Sequence, residues 1–122
     1  MIHQSAPECW IAPNGMDPEC TELCKAINDL LPGLQTVESC CGHGKLPFRI
    51  WFTVSTIKAL REELPILLYW CDSCHIGFDW PCFVETDCGM SPPMFRLESY
   101  MVGDQAYLEA GKIAKHLRED AV

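Results

Sequence analysis

The sequence predicts a single α+β domain over residues 1–122, a two-layer sandwich of helices packed on a mixed or antiparallel sheet. Three observations carry this expectation. First, Val37 to Ile50 recurs without a gap as Val84 to Leu97, 47 positions later, with identities at Val, Glu, Cys, Gly, Phe and Arg. Second, the segments flanking each copy alternate apolar and polar residues as strands do. Third, a stretch of helical period follows each hairpin, so the chain reads as two pseudo-repeated strand-loop-strand-helix units, 34–64 and 83–118.

Residues 1–16 hold Pro7, Pro13, Asn14 and Gly15 without a period and read as an irregular arm. Asp17-Pro18-Glu19 then starts a helix, because Asp caps and Pro suits the first helical position. Cys20, Cys24, Ile27 and Leu31 follow on one face until Pro32-Gly33, which predicts a helix over about 18–31 with its thiols in the core. Leu34 to Cys40 and Phe48 to Val54 read as strands, the second placing Phe48, Ile50, Phe52 and Val54 on one face and Arg49, Trp51 and Thr53 on the other. Ser55 is the expected cap of a helix from Thr56 to Leu64 that buries Ile57, Leu60 and Leu64 and stops at Pro65. Ile66 to Cys71 reads as a short strand and Asp72 to Pro81 as a connection. The second unit follows, with strands Phe83 to Asp87 and Phe95 to Val102 and a helix Gln105 to Arg118 carrying Tyr107, Leu108, Ile113 and Leu117. Glu38 with Arg49, and Glu85 with Arg96, are expected as cross-strand ion pairs.

A hydrophobic fraction of 48% and a charged fraction of 21% suit a core that folds without staples. The net charge of −8 repels a polyphosphate, so general nucleic-acid binding is not expected. The first ten residues lack a basic start and an apolar run, and no stretch approaches membrane-spanning length, which predicts a cytoplasmic protein away from membranes. Nine cysteines should then stay reduced and serve packing, metal or redox chemistry.

Only the first copy keeps a Cys-Gly-His-Gly-Lys loop, so the candidate site belongs there. Cys41 and His43, two apart on an extended segment, point the same way, and Cys71 and Cys74 add a C-x-x-C pair. Three thiolates and one imidazole form a ligand set that tetrahedral zinc favours. A second reading has Gly42, His43, Gly44, Lys45 and Arg49 capture a small anionic ligand, with backbone N–H groups converging and the cations adding charge. Packing alone is the bland account of the thiols, and a turn needing glycine that of the loop. Cys71-Asp72-Ser73-Cys74-His75 also matches c-type haem attachment, which requires export. A redox role for that pair is disfavoured because nothing helical is expected after Cys74. Cys41 as a nucleophile beside His43 lacks a third orienting group. Trp51, Trp70, Trp80 and Phe83 are expected in the core or an interface.

From Leu23-Cys24-Lys25-Ala26-Ile27-Asn28 to Gly33, and on through Thr36-Val37-Glu38-Ser39-Cys40-Cys41-Gly42-His43, the chain resembles small bacterial and prophage-associated proteins with a C-C-G-H-G loop. Over about residues 20–50 it also distantly resembles the tRNA wybutosine-synthesising protein 3 family, whose helix leads through a turn into a strand ending in a Ser-Ser-Cys-Ser-Gly-Arg-like loop. Ser39, Cys40 and Gly42 are the matching positions, while His43 stands where that family has Arg. The resemblance implies an α+β hairpin and S-adenosylmethionine-dependent tRNA methylation. Three functions are therefore expected to compete. They are a binding or accessory module for zinc or an anion, a methyltransferase-like or thiol-dependent enzyme, and an interaction protein forming a homo-oligomer.

Overall fold

A computed structural model describes residues 17–85 and 94–120. The expected arm and the second loop lie outside the described residues. Helix α1 spans Pro18–Leu30 and runs back along strand β1, Leu34–Cys40. A single 3-10 turn, Gly42–Gly44, leads into β2, Pro47–Val54. Helices α2 (Ile57–Glu62), α3 (Leu64–Tyr69) and α4 (Ser73–Ile76) follow, then β3 (Cys82–Glu85), β4 (Met94–Val102) and the long α5 (Gly103–Asp120). The four strands form one sheet in the order β1-β2-β4-β3, antiparallel at every pairing. The choice left between mixed and antiparallel is thus decided for the latter.

The helices α1 and α5 pack on each other and on the sheet, α1 over β1 and α5 over β2 and β4. The core between the layers takes Phe48, Ile50, Phe52 and Val54 from β2 and Cys20, Cys24, Ile27 and Leu31 from the first helical run, as the periodicities require. Phe52 stacks on Phe95 with centroids 5.5 Å apart, and the buried Trp80 lies 5.2 Å from Phe48. Trp80 donates its indole N–H to Glu109 at 2.9 Å, which satisfies the ring as it enters the core. Of the other aromatic positions, Trp51 is buried, Trp70 half-buried, and Phe83 exposed beneath the Arg96 guanidinium at 4.6 Å.

The middle of the chain departs from expectation. Thr56, not Ser55, caps α2 through Ala59 N at 3.0 Å. Moving the cap by one residue turns the helix by about 100°, so Ala59 is buried while Ile57 is 73% and Leu60 41% exposed. Gly33 lies against this helix so closely that a Cβ there would fall 2.3 Å from the Ala59 Cβ. Ile66 to Cys71 does not form a strand, because Leu64–Tyr69 is a helix with Pro65 in its first turn. Proline ends a helix only from the interior, and at the first positions its missing N–H costs nothing. Pro65 therefore starts α3 as much as it stops α2.

Ile50 pairs with Leu97, the positions related by the 47-residue repeat, so β2 and β4 meet about that pair. The two hairpins differ in register: Arg49 faces Cys40, whereas its counterpart Arg96 faces Phe83, and Cys40 corresponds to Asp87. The bulge between Thr36 and Glu38 shifts the first hairpin further, so Thr36 pairs with the core residue Phe52 while Phe83, its counterpart, pairs with Arg96 on the opposite face. The helices that follow also differ, 6 residues in α2 against 18 in α5. Glu85 and Arg96 form the expected ion pair, and Glu85 also accepts the Trp51 indole N–H at 2.6 Å. In the first hairpin the Arg49 guanidinium lies 5.6 Å over Trp51 and donates to Cys40 Sγ at 3.7 Å. Among the described residues no helix is long and apolar enough to cross a membrane.

Candidate metal centre

The site forms where the end of β1 meets the start of α1. A helix of 13 residues is about 20 Å long and a strand of 7 about 23 Å. Joined by a tight turn and packed together, the two elements bring Asp17 to the level of Cys41. Asp17 has the extended backbone of a capping residue, yet its side chain makes no cap hydrogen bond. Its carboxylate instead accepts the backbone N–H of Cys41 at 3.1 Å.

Past Cys41 the backbone turns through three left-handed residues, Gly42 at φ 81°, His43 at φ 52° and Gly44 at φ 81°. Gly42 admits no side chain, since a Cβ would sit 2.9 Å from the Pro47 carbonyl oxygen. His43 is the non-glycine residue that adopts a positive φ among the described residues, a strain of about 1–2 kcal/mol. This conformation folds the imidazole back over Cys41. Its Nδ1 lies 3.7 Å from Cys41 Sγ, and its Nε2 lies 3.7 Å from Asp17 Oδ2. One ligand atom from each of Asp17, Cys41 and His43 falls within 4.8 Å of the others, with Asp17 and Cys41 buried and His43 at the surface.

The loop's donors turn inward. Cys41 N gives to Asp17, Gly42 N to Cys40 Sγ at 3.3 Å, and His43 N to Cys41 Sγ at 3.3 Å. Lys45 N and Leu46 N both give to Gly42 O at 3.0 Å. A backbone anion nest needs these N–H groups free and convergent. Arg49 is engaged on the sheet with Trp51 and Cys40, and Lys45 is exposed. Of the residues in the anion reading, Gly42, His43 and Lys45 thus have their backbone N–H groups engaged within the loop.

Burial pushes the Cys41 thiol up, the hydrogen bond from His43 N opposes the rise, and the Asp17 carboxylate adds to it. A cation would reverse that balance, since a coordinated thiol is deprotonated. Sulfur, nitrogen and carboxylate oxygen within this span form a donor set that suits a borderline-soft divalent ion.

The other predicted pair does not join. Among the described residues, the group around Cys41 and His43 contains Asp17 and neither Cys71 nor Cys74. Cys71 is buried in the core, its thiol pushed up by burial, while Cys74 is exposed on α4. The expectation that nothing helical surrounds Cys74 is also corrected: Asp72 caps one helical turn there and accepts Cys74 N at 2.9 Å. That carboxylate raises the Cys74 thiol, the opposite of what a disulfide exchanger needs. Compared with family models, curated proteins and solved structures, the chain finds no match.

Proposed function

We propose that this protein is a metal-binding domain that holds a divalent d-block ion, zinc by donor preference, on Asp17, Cys41 and His43. One observation carries the reading: two elements and a strained turn converge three ligand atoms of suitable chemistry. Zinc bonds of about 2.0–2.3 Å in a tetrahedron set ligand atoms about 3.3–3.8 Å apart. The Sγ to Nδ1 separation of 3.7 Å falls in that range before any ion enters. Three protein ligands are also the number that zinc enzymes use, with a further position left for water or substrate. An anionic ligand, on this reading, binds the ion and not the glycines. On this reading the two segments related by the 47-residue recurrence are copies of one unit, and the first alone carries Cys41 and His43.

The test is metal content by mass spectrometry on tag-free protein purified under reducing conditions. Near-stoichiometric zinc in the wild type, lost in Asp17→Asn and Cys41→Ser and kept in Cys71→Ser, supports the reading. A wild-type protein that takes up no metal on titration with zinc refutes it.

A second reading rests on Asp17, which supplies the third group that the sequence lacked. In this reading His43 spans Asp17 and Cys41 as the base of a thiol enzyme, methyltransferase-like or hydrolytic. The raised thiol weighs against it. Fast alkylation of Cys41 by iodoacetamide in metal-free protein at neutral pH, abolished in His43→Ala, is the result that would favour it over metal binding.

A further inference from the structure

We infer that the outer row of α2 and α3, formed by Ile57, Leu60, Leu64 and Leu68, is a dimerisation surface whose partner is a second copy of this chain lying antiparallel on it. The two helices run on nearly as one. Glu63 between them keeps a right-handed helical backbone at φ −99° and ψ −42°, its N–H bonds to Ala59 O at 2.8 Å, and its carbonyl accepts Leu67 N at 3.3 Å. At about 100° per residue, positions 57, 60, 64 and 68, three and four apart, then fall in one row. Leu64 is buried in the middle of it, while Ile57 and Leu60 are exposed and Leu68 is 38% exposed. Ala59 and Leu67 fill the side of the run that faces the core.

Single apolar side chains at a surface need no account, but a row of them along a helix marks an interaction face. The charges choose its occupant. With a net charge of −8, the chain repels most of a second acidic copy. The row is the exception. Lys58 and Arg61 are exposed beside its first half, α3 carries no charge, and the exposed Asp72 and Asp79 lie beyond its far end. Of the acids in between, Glu63 is taken up by Gly33 N at 2.7 Å. Glu62, two residues from both Leu60 and Leu64, falls on the opposite side of the helix. An antiparallel copy lays the basic end of each row toward the acidic end of the other, and the twofold axis makes that contact twice. A parallel copy would set like against like. In the antiparallel arrangement Ile57 of one copy meets Leu68 of the other, and Leu60 meets Leu64. The side chains whose helical spacing calls for burial are then buried between chains.

The contact does not involve the metal site, so the experiment is sedimentation equilibrium of the full chain with chelator and reductant present, over a rising concentration series. The wild type reaches twice the 13.8 kDa of one chain. Ile57→Glu and Leu68→Lys each put an unpaired charge in the row and return the mass to one chain, a twofold drop. Mixed in equal amounts, the two variants form a heterodimer in which one Ile57 to Leu68 contact is intact and the other becomes an ion pair, and the doubled mass returns. Both positions lie at the surface, so circular dichroism stays that of the wild type, and Ile57→Glu decides alone should Leu68→Lys misfold. A wild type at the mass of one chain throughout the series overturns the second copy as occupant and leaves the row to a partner of another kind. A doubled mass kept by folded Ile57→Glu puts the dimer on another face and overturns the proposal. A mixture that stays monomeric overturns the antiparallel arrangement.

Discussion

Cys41 with His43, and Cys71 with Cys74, are two short pairs that carry the same promise in sequence and meet opposite fates. The first pair sits where the backbone turns through three left-handed residues, and its side chains converge with Asp17. The second straddles the cap of a single helical turn, which sends Cys71 into the core and Cys74 to solvent. Spacing alone does not make ligands. What matters is whether the local backbone folds the two side chains toward one point and whether a third group arrives from elsewhere.

Ligand removal breaks this comparison most directly. Cys41→Ser or Asp17→Asn lowers zinc affinity by about 100-fold or more, beyond the about 10–100-fold of an outer-shell change, whereas Cys71→Ser and Cys74→Ser leave it unchanged. Competition titration with a chromophoric chelator measures all four. Proton competition comes next. Because burial raises the Cys41 thiol, the thiol is protonated at neutral pH and must lose its proton to bind metal. Zinc affinity therefore falls by about tenfold per pH unit on acidification for each proton displaced. A flat profile between pH 6 and about 8 would contradict a thiolate ligand.

Stability separates the pairs in the reverse sense. Cys71→Ser puts a hydroxyl among apolar core side chains and costs about 1–3 kcal/mol, while Cys74→Ser stays within about 0.5 kcal/mol. Urea unfolding with chelator present reads both. Gly42→Ala combines a left-handed alanine with a contact on the Pro47 carbonyl and costs about 2–4 kcal/mol in the same assay. The smallest effect sharpens the comparison most. His43→Gly relieves the left-handed strain, so metal-free stability rises by up to about 1 kcal/mol while zinc binding is lost. A large loss of metal-free stability would instead make His43 a structural residue.

Much of the frame was legible. Strand β1 matches its expected bounds, and α1 and β2 lie within a residue of theirs, because Pro18, Pro32-Gly33 and a clean period of two mark them locally. The region from Ser55 to Cys71 was misread where a one-residue change of cap rotated α2 and where Pro65 had two meanings. Neither ambiguity has a local solution, since both depend on which face the rest of the domain offers.

The amino-acid order by itself determined that the first loop, and not the second, carries Cys41, His43 and two glycines able to hold a left-handed turn. It did not determine what completes the site. Asp17 reads locally as a helix cap, and its carboxylate had two uses: the first turn of α1, or Cys41 twenty-four residues away. The tertiary structure decided between them, because packing α1 against β1 buries the Cys41 N–H at the helix start, where an unpaired donor costs more than an uncapped turn open to water.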